Sequence, residues 1–181
     1  MGLVGSEMCI RDRLKIMKIL VCGLPGSGKT WLSERLAEYL DNCAWYNADT
    51  VRRSANDWDF TMEGRARQAN RMKTFADFEV SNGRLAICDF VAPTKNSRKT
   101  FDPDYVIWLD TIKEGRVVAG KKEELKGAKD LPFDVATLEK SEEFENTNKV
   151  FDPPQNIDQH IIKFLSDEEI KAIAEELKKH V

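Results

Sequence analysis

The 181-residue sequence lacks the features that mark secreted, membrane-spanning or nucleic-acid-binding proteins. Its four cysteines are too few and too scattered for a disulfide framework, and no pair has the spacing of a zinc site. No apolar run reaches the length that crosses a membrane. The net charge of -3 gives no general attraction to nucleic acid. These absences predict a cytoplasmic protein of one domain, without a membrane partner, and they disfavour a nucleic-acid partner.

The first residues of the chain are expected to lie outside the folded domain. Residues 1–13 show neither helical nor strand periodicity, and they lack the apolar core of a signal peptide. The segment is also similar to the translation of a sequencing adapter read in frame. We therefore expect residues 1–16 to be a non-native extension and the domain to span residues 17–181, beginning with Met17.

A glycine-rich motif follows the first apolar run of the domain. Residues 23–30 read G-L-P-G-S-G-K-T, between the apolar residues 19–22 and a helical pattern. Glycines let backbone N–H groups close around an anion, and the positive end of the following helix points at the same place. The motif predicts a P-loop that binds ATP, with Lys29 at the terminal phosphates and the Thr30 hydroxyl on Mg²⁺. The residues expected to bind the nucleotide are Gly23, Leu24, Pro25, Gly26, Ser27, Gly28, Lys29, Thr30 and the adjoining Trp31, whose side chain is expected to pack in the core.

Strand and helix patterns alternate along the rest of the domain. This alternation predicts an α/β fold of three layers, the P-loop NTPase and kinase fold, with a mostly parallel sheet covered by helices on both faces. The highly charged stretch 111–156 is expected to form a lid over the nucleotide site. The predicted strands are 18–22, 43–46, 85–90, 105–109 and 157–164, and the predicted helices are 28–40, 62–82 and a last helix with a capping box from Ser166 to Glu169.

Two aspartates are candidates for the carboxylate that phosphoryl transfer needs. Asp49 and Asp89 both follow predicted strands, so both are expected at the edge of the sheet that holds the P-loop. Either could join Thr30 in holding the metal, and either could orient the attacking hydroxyl. A helix-capping role is the structural alternative for each aspartate. The predicted catalytic residues are Lys29 and Asp49, and the predicted metal ligands are Thr30, Asp49 and Asp89.

Arginines downstream of the first aspartate point to an anionic second substrate. Five arginines lie between residues 52 and 71. The guanidinium fork matches the geometry of phosphate or sulfate, and Arg52 and Arg67 are the preferred candidates for this role. A solvated helix face would explain the same charges.

An ordered set of motifs resembles that of the adenylylsulfate kinases. Besides the P-loop, the chain has N-A-D-T-V-R from Asn47, R-Q-A-N from Arg67, D-F-V-A-P from Asp89 and F-E-N-T-N-K-V-F-D-P-P from Phe144. The corresponding family motifs are D-G-D-x-x-R, R-x-x-N, S-F-x-S-P and F-T-G-I-D-x-P-Y-E-x-P. The resemblance covers roughly residues 17–154.

This resemblance implies a reaction and an acceptor site. The enzyme would transfer a phosphoryl group from ATP to adenylylsulfate, with Mg²⁺, giving ADP and 3′-phosphoadenylylsulfate. The small-molecule acceptor would be held by an Arg and Asn pair, and a lid aromatic would stack on its adenine. A homodimer is a further expectation. The residues implied to bind the acceptor are Arg52, Arg67, Asn70, Phe90 and Phe144.

The chain departs from the family pattern at the proposed carboxylates and in the lid. Asn47 and Ala48 stand where the family has Asp-Gly, and Asp89 stands where it has Ser, which could restore a negative charge close by. The lid reads E-N-T-N-K instead of T-G-I-D. Two alternatives follow: a P-loop kinase for another small-molecule or nucleic-acid 5′-hydroxyl, and a nucleotide-binding module without turnover.

Overall fold

Five parallel strands form the sheet that the alternating pattern predicts. The structure is a computed structural model that describes residues 16–113, 115 and 147–180. The strands are β1 (Lys18–Gly23), β2 (Cys43–Asn47), β3 (Leu85–Asp89), β4 (Tyr105–Leu109) and β5 (Gln159–Ile161). The helices are α1 (Lys29–Tyr39), α2 (Ala48–Ala55), α3 (Met62–Ser81), α4 (Lys95–Phe101) and α5 (Asp167–His180), with one more helical turn at residues 147–150.

The order of the strands brings the candidate residues to one edge of the sheet. The strands lie in the order β2-β3-β1-β4-β5, and every neighbouring pair is parallel. Asp89 at the end of β3 pairs in register with Asn47 of β2 on one side and with Val21 of β1 on the other. Because the carboxyl ends of parallel strands meet at the same edge, the P-loop lies beside Asn47 and Asp89.

Two apolar layers hold the helices against the sheet. Along β1, Ile19 and Val21 face one layer and Leu20 and Cys22 face the other, as the period of two in a strand requires. Helices α1 and α5 cover the first face, whereas α3 and α4 cover the second. Cys22 and Cys88 are buried, and burial raises the pKa of the Cys22 thiol to about 12.

Side-chain caps fix the start of several helices. The Thr61 side chain accepts a hydrogen bond from the backbone N–H of Gly64 and so begins α3. The predicted capping box is confirmed at α5, where the backbone N–H of Ser166 donates to Glu169 at 2.8 Å and the backbone N–H of Glu169 donates to the Ser166 hydroxyl at 3.3 Å. These local bonds place the helix ends within a residue or two of the predicted bounds.

Three sequence predictions differ from the structure. The polar segment after β2 forms the eight-residue helix α2, and its cap is Asn47 rather than Asp49. The last strand covers only Gln159–Ile161 of the predicted 157–164, and Phe164 beyond it is 60% exposed. Trp31 is 38% exposed, so the expectation that it packs in the core is wrong.

Parts of the sequence predictions lie outside the described residues. These parts are residues 1–15 of the predicted extension and most of the predicted lid, including Phe144. Within the ranges that are described, no helix has both the length and the apolar character needed to cross a membrane.

Candidate active site

The P-loop joins the end of β1 to the start of α1 through positions that require glycine. Gly28 caps α1 with a φ of 95°, in the left-handed region. A Cβ atom at Gly23 would lie 2.4 Å from the carbonyl oxygen of Leu109, so no larger residue fits there. The Lys29 Nζ atom donates to the carbonyl oxygen of Leu24 at 2.9 Å, which holds the ammonium group across the loop. The loop between β1 and α1 therefore has the glycine positions and the lysine that a phosphate site needs.

Asp89 is the centre of a buried polar cluster beside this loop. The residue is 1% exposed. Its Oδ2 atom accepts from Thr30 Oγ1 at 2.9 Å and from Asn47 Nδ2 at 3.0 Å, and its Oδ1 atom accepts from Trp45 Nε1 at 2.9 Å. Asn47 Nδ2 also donates to Thr30 Oγ1 at 3.1 Å. Three donors therefore hold the carboxylate in one position relative to the P-loop.

Burial raises the pKa of Asp89 from 3.8 to about 6, because removal from water penalises the charged form. The hydrogen bonds from Trp45, Thr30 and Asn47 and the charge of Lys29 act in the opposite direction. At neutral pH Asp89 is thus a charged group in a buried position, held there by its three donors. A buried carboxylate of this kind, beside a phosphate site, is typical of functional residues.

The oxygen atoms at Thr30 and Asp89 fit a magnesium ion. Mg²⁺ in phosphate-transfer sites takes one or two protein oxygens, and phosphates and water complete its octahedral shell. Over the described part of the chain, no group of three or more His, Cys, Asp or Glu could hold a metal. Thr30 and Asp89 would hold the ion, and the ion would neutralise charge on the phosphates of the nucleotide.

Asp49 lies in the first turn of α2, next to this cluster. Asn47 Oδ1 accepts from the backbone N–H of Thr50 at 3.0 Å, so the residue that contacts Thr30 also fixes the start of α2. Asp49 is exposed, and its side chain makes no hydrogen bond or ion pair with another described residue, although its charge acts on Arg52. Its carboxylate is therefore available to a ligand. The structure does not join it to Thr30 or Asp89, and its role as a metal ligand stays a prediction.

Arg52 is used inside the fold. It is 5% exposed, and its Nη1 atom donates to the carbonyl oxygens of Asp57 at 3.0 Å and Asp59 at 2.9 Å. The guanidinium carbon lies 4.5 Å from the centre of the Phe60 ring. Burial lowers the pKa of Arg52. These contacts make Arg52 a support for residues 57–60, and its direct contact with an acceptor stays a prediction.

Arg67 lies on α3 and is ion-paired with the same loop. Its Nε atom donates to Asp57 at 2.7 Å, and its Nη2 atom donates to Asp57 at 3.1 Å and to Asp59 at 2.9 Å. Arg71 donates to Asp57 at 2.8 Å. Arg67 and Arg71 together hold the pKa of the Asp57 carboxyl well below its usual range. The fork that was predicted to grip an anion therefore binds carboxylates of the protein, and Asn70 is exposed one turn further along α3.

The predicted aromatic contacts fall in different places. Phe90 is 7% exposed, and its ring packs edge-on against Phe101 with centroids 5.4 Å apart, so nearly all of it belongs to the core. Trp31 lies on the surface beside the P-loop, with the Arg35 guanidinium 4.2 Å from the centre of its ring. Of the two rings, only Trp31 offers an open surface to a ligand.

Comparison with known proteins finds similar kinases. The model of the family described as adenylylsulphate kinase matches residues 15–104, which contain the P-loop, Asn47, Arg67 and Asp89. A probable adenylyl-sulfate kinase from Aeropyrum pernix is 26% identical over 147 residues, which are 76% of this chain and 78% of that protein. These matches confirm the predicted resemblance to the adenylylsulfate kinase family and show an ATP-dependent kinase.

Solved structures of adenylylsulfate kinases and other small kinases have the same fold. The structure of an APS kinase from Mycobacterium tuberculosis in complex with AMPPNP and APS has a TM-score of 0.66 and 18% identity, covering 91% of this chain and 98% of that one. A gluconokinase from Sinorhizobium meliloti has a TM-score of 0.59 and 15% identity, covering 93% and 94%. These likenesses confirm the predicted P-loop kinase fold, which serves more than one acceptor.

Two residues of this site, Trp45 and Asn47, are not among the site residues predicted from the sequence. Trp45 donates to Asp89 through its indole N–H, and Asn47 donates through its amide. A signal was present, because residues two apart on a strand share a face. Trp45 and Asn47 could therefore have been placed on one face of β2, the face on which Asp89 of the neighbouring strand β3 lies.

Proposed function

We propose that the protein transfers the γ-phosphoryl group of ATP to the 3′-hydroxyl of adenylylsulfate. The observation that carries this proposal is the free carboxylate of Asp49, which follows Asn47 at the edge of the sheet where Asn47 contacts Thr30 of the P-loop. The choice of substrates is supported by the family and by the relatives, one named as a probable adenylyl-sulfate kinase and one solved with AMPPNP and APS. The expected homodimer stays a prediction.

In this proposal some residues of the site bind the phosphates and the metal, and one residue accepts a proton. Lys29 and the backbone N–H groups of the P-loop bind the terminal phosphates, while Thr30 and Asp89 would hold Mg²⁺. Asp49 accepts the proton of the acceptor hydroxyl. The oxygen of that hydroxyl forms a bond to the γ-phosphorus, and the bond from the γ-phosphorus to the bridging oxygen of ADP breaks. The products are ADP, the phosphorylated acceptor and one proton.

The acceptor would be held by α3 and the lid. The Arg67 side chain is 49% exposed, and that of its partner Asp59 is 36% exposed. A sulfate or phosphate can therefore reach this guanidinium in exchange for Asp59, while Asp57 keeps the fork in place. Asn70 would bind beside it, and Phe144 of the lid would stack on the adenine.

The test is a coupled assay of ADP release with ATP and adenylylsulfate. The wild type should release ADP only when the acceptor is present. Asp49→Asn should lower kcat by at least about a hundredfold, because it removes the general base, while ATP affinity changes by less than about threefold. Asp41→Asn, an exposed aspartate between α1 and β2, serves as the matched control. No ADP above background with adenylylsulfate would overturn the proposal.

A second candidate is a kinase for an acceptor without an anionic group, because Arg52, Arg67 and Arg71 all have partners in the loop at 57–60. The same assay with nucleosides and sugars separates the two candidates, and oligonucleotide 5′ ends test a nucleic-acid acceptor. Asp59→Asn sharpens the comparison. Release of Arg67 from Asp59 should lower KM for adenylylsulfate and leave KM for an uncharged acceptor unchanged.

A further inference from the structure

Asn47 and Asp89 form a pair at the end of two neighbouring strands. They are partners in the register of β2 with β3, and Asn47 Nδ2 donates to Asp89 Oδ2 at 3.0 Å. An amide can donate here, whereas an ionised carboxylate cannot. A carboxylate at position 47 would place two negative groups about 3 Å apart, and one of them would have to take up a proton. The pair therefore has room for one negative charge.

The pair also sets the direction of the hydrogen bonds at Thr30. The Thr30 hydroxyl donates its proton to Asp89 Oδ2 at 2.9 Å and accepts from Asn47 Nδ2 at 3.1 Å. A hydroxyl has one proton and two lone pairs. Its proton and one lone pair are committed to the Asn47 and Asp89 pair, so the second lone pair of Thr30 is the one that can bind a cation.

Asn47 connects this arrangement with α2. Its Oδ1 atom accepts from the backbone N–H of Thr50 at 3.0 Å and from the Thr50 hydroxyl at 3.3 Å, which caps the helix that carries Asp49. An aspartate at position 47 could make the same cap. The cap needs only an acceptor, whereas the bond to Asp89 needs a donor, which an ionised aspartate lacks.

We infer that Asn47 and Asp89 form a pair that carries one negative charge, which can be moved from one member to the other. In this protein Asp89 carries the carboxylate that holds the Thr30 hydroxyl and the nucleotide-bound cation. Asn47 is the residue that positions this carboxylate. The charge can then occupy either member of the pair, provided that the other is neutral. This inference rests on the proposed function only for the nucleotide, ATP. Its test uses no acceptor, so failure of the acceptor assignment would leave it standing.

The test measures binding of AMPPNP by calorimetry, with Mg²⁺ and with EDTA. The quantity of interest is the factor by which Mg²⁺ tightens AMPPNP binding. Asp89→Asn should reduce this factor by at least about tenfold, as expected for loss of a group that holds the metal shell. Asn47→Asp/Asp89→Asn should bring it back to within about threefold of the wild type, because the charge returns at the paired position. Asp41→Asn is the control for loss of one surface carboxylate.

A second readout is the thermal unfolding of the metal-free protein. Asn47→Asp alone should lower Tm, because it places a second carboxylate against Asp89, and the exchanged double variant should regain most of the loss. A merely structural role for Asp89 would change Tm without changing the effect of Mg²⁺ on AMPPNP affinity. The two measurements therefore separate a positioning role from a packing role.

Several results would overturn the inference. One is an Asp89→Asn protein that is folded and keeps the Mg²⁺ effect within about threefold of the wild type. Another is loss of that effect in Asp49→Asn instead. If Asn47→Asp/Asp89→Asn does not fold, Asn47→Asp/Asp89→Ser replaces it. If neither double variant folds, or if the folded one binds no better than Asp89→Asn, the two positions are not exchangeable.

Discussion

Replacing Asp89 with asparagine should change the way in which stability depends on pH. Burial raises the pKa of this carboxyl from 3.8 to about 6, so between these values the folded protein binds more protons than the unfolded chain. The stability that comes from the neutral carboxyl is complete below about pH 4. It is lost as pH rises through 6, and above that value the contribution is constant.

The size of the effect follows from the pKa difference. A difference of about 2 corresponds to about 3 kcal/mol, at about 1.4 kcal/mol for each pKa unit. Because Asp89 is 1% exposed, solvent screening reduces this figure little. Asparagine is uncharged at every pH in this range, so the variant does not lose this stability as pH rises. The free energy of unfolding of Asp89→Asn minus that of the wild type should therefore rise by about 2–3 kcal/mol between pH 4 and 7.5. Altered hydrogen bonds to Trp45 and Thr30 add a constant offset and do not affect this change.

The measurement is urea unfolding of both proteins with EDTA present, at several pH values across that range. Asp41→Asn, which also loses one carboxylate but from an exposed turn, is measured beside them. A stability difference between Asp89→Asn and the wild type that varies by less than about 0.5 kcal/mol would refute the reasoning, because it would show that water reaches the Asp89 carboxylate in the folded protein.

Three further variants test other parts of the fold. Gly23→Ala should lower the free energy of unfolding in urea by at least about 2 kcal/mol more than Gly83→Ala does. The reason is that a Cβ at Gly23 meets the Leu109 carbonyl oxygen at 2.4 Å, whereas a Cβ at Gly83 meets only Ile16 at 3.9 Å. Equal losses would contradict the clash. Asp57→Asn should lower the free energy of unfolding by about 1–2 kcal/mol at neutral pH. This loss should shrink below about pH 4, because Arg67 and Arg71 lower the pKa of Asp57 and the stability that its charged form contributes disappears in acid. A loss independent of pH would speak against these ion pairs. Phe101→Ala should cost about 3–5 kcal/mol, while Phe78→Ala, at a site 63% exposed, should cost less than about 1 kcal/mol, both measured by thermal unfolding.

The parts of the molecule that the sequence predicts well depend on local patterns. Four strands and the long helices lie within a residue or two of their predicted bounds, because apolar periodicity and helix caps are both encoded over short stretches. The P-loop is predictable for the same reason, since its glycines, Lys29 and Thr30 are consecutive. Even the meeting of Asn47 with Asp89 follows from the rule that parallel strands share one edge for their carboxyl ends.

The parts that the sequence does not predict depend on contacts between distant residues. Helix α2 has only eight residues and few apolar ones, and it is stabilised by Asn47 and by the burial of Val51 and Arg52 against its neighbours. The ion pairs of Arg67 with Asp57 and Asp59 bridge a loop and a helix, a geometry that has no periodic signature. An arginine that looks free for a substrate in the sequence is therefore engaged in the fold.

The polar cluster at Asp89 also bears on why β2 pairs with β3 in one register. A slip of one residue would turn Trp45 and Asn47 to the opposite face of β2, because side chains alternate along a strand. Asp89 would then keep only Thr30 of its three side-chain donors. A buried carboxylate that loses its donors costs several kcal/mol, which is comparable to a large share of the stability of a small domain. The residues that prepare the phosphate site thus also select the strand register on which that site depends.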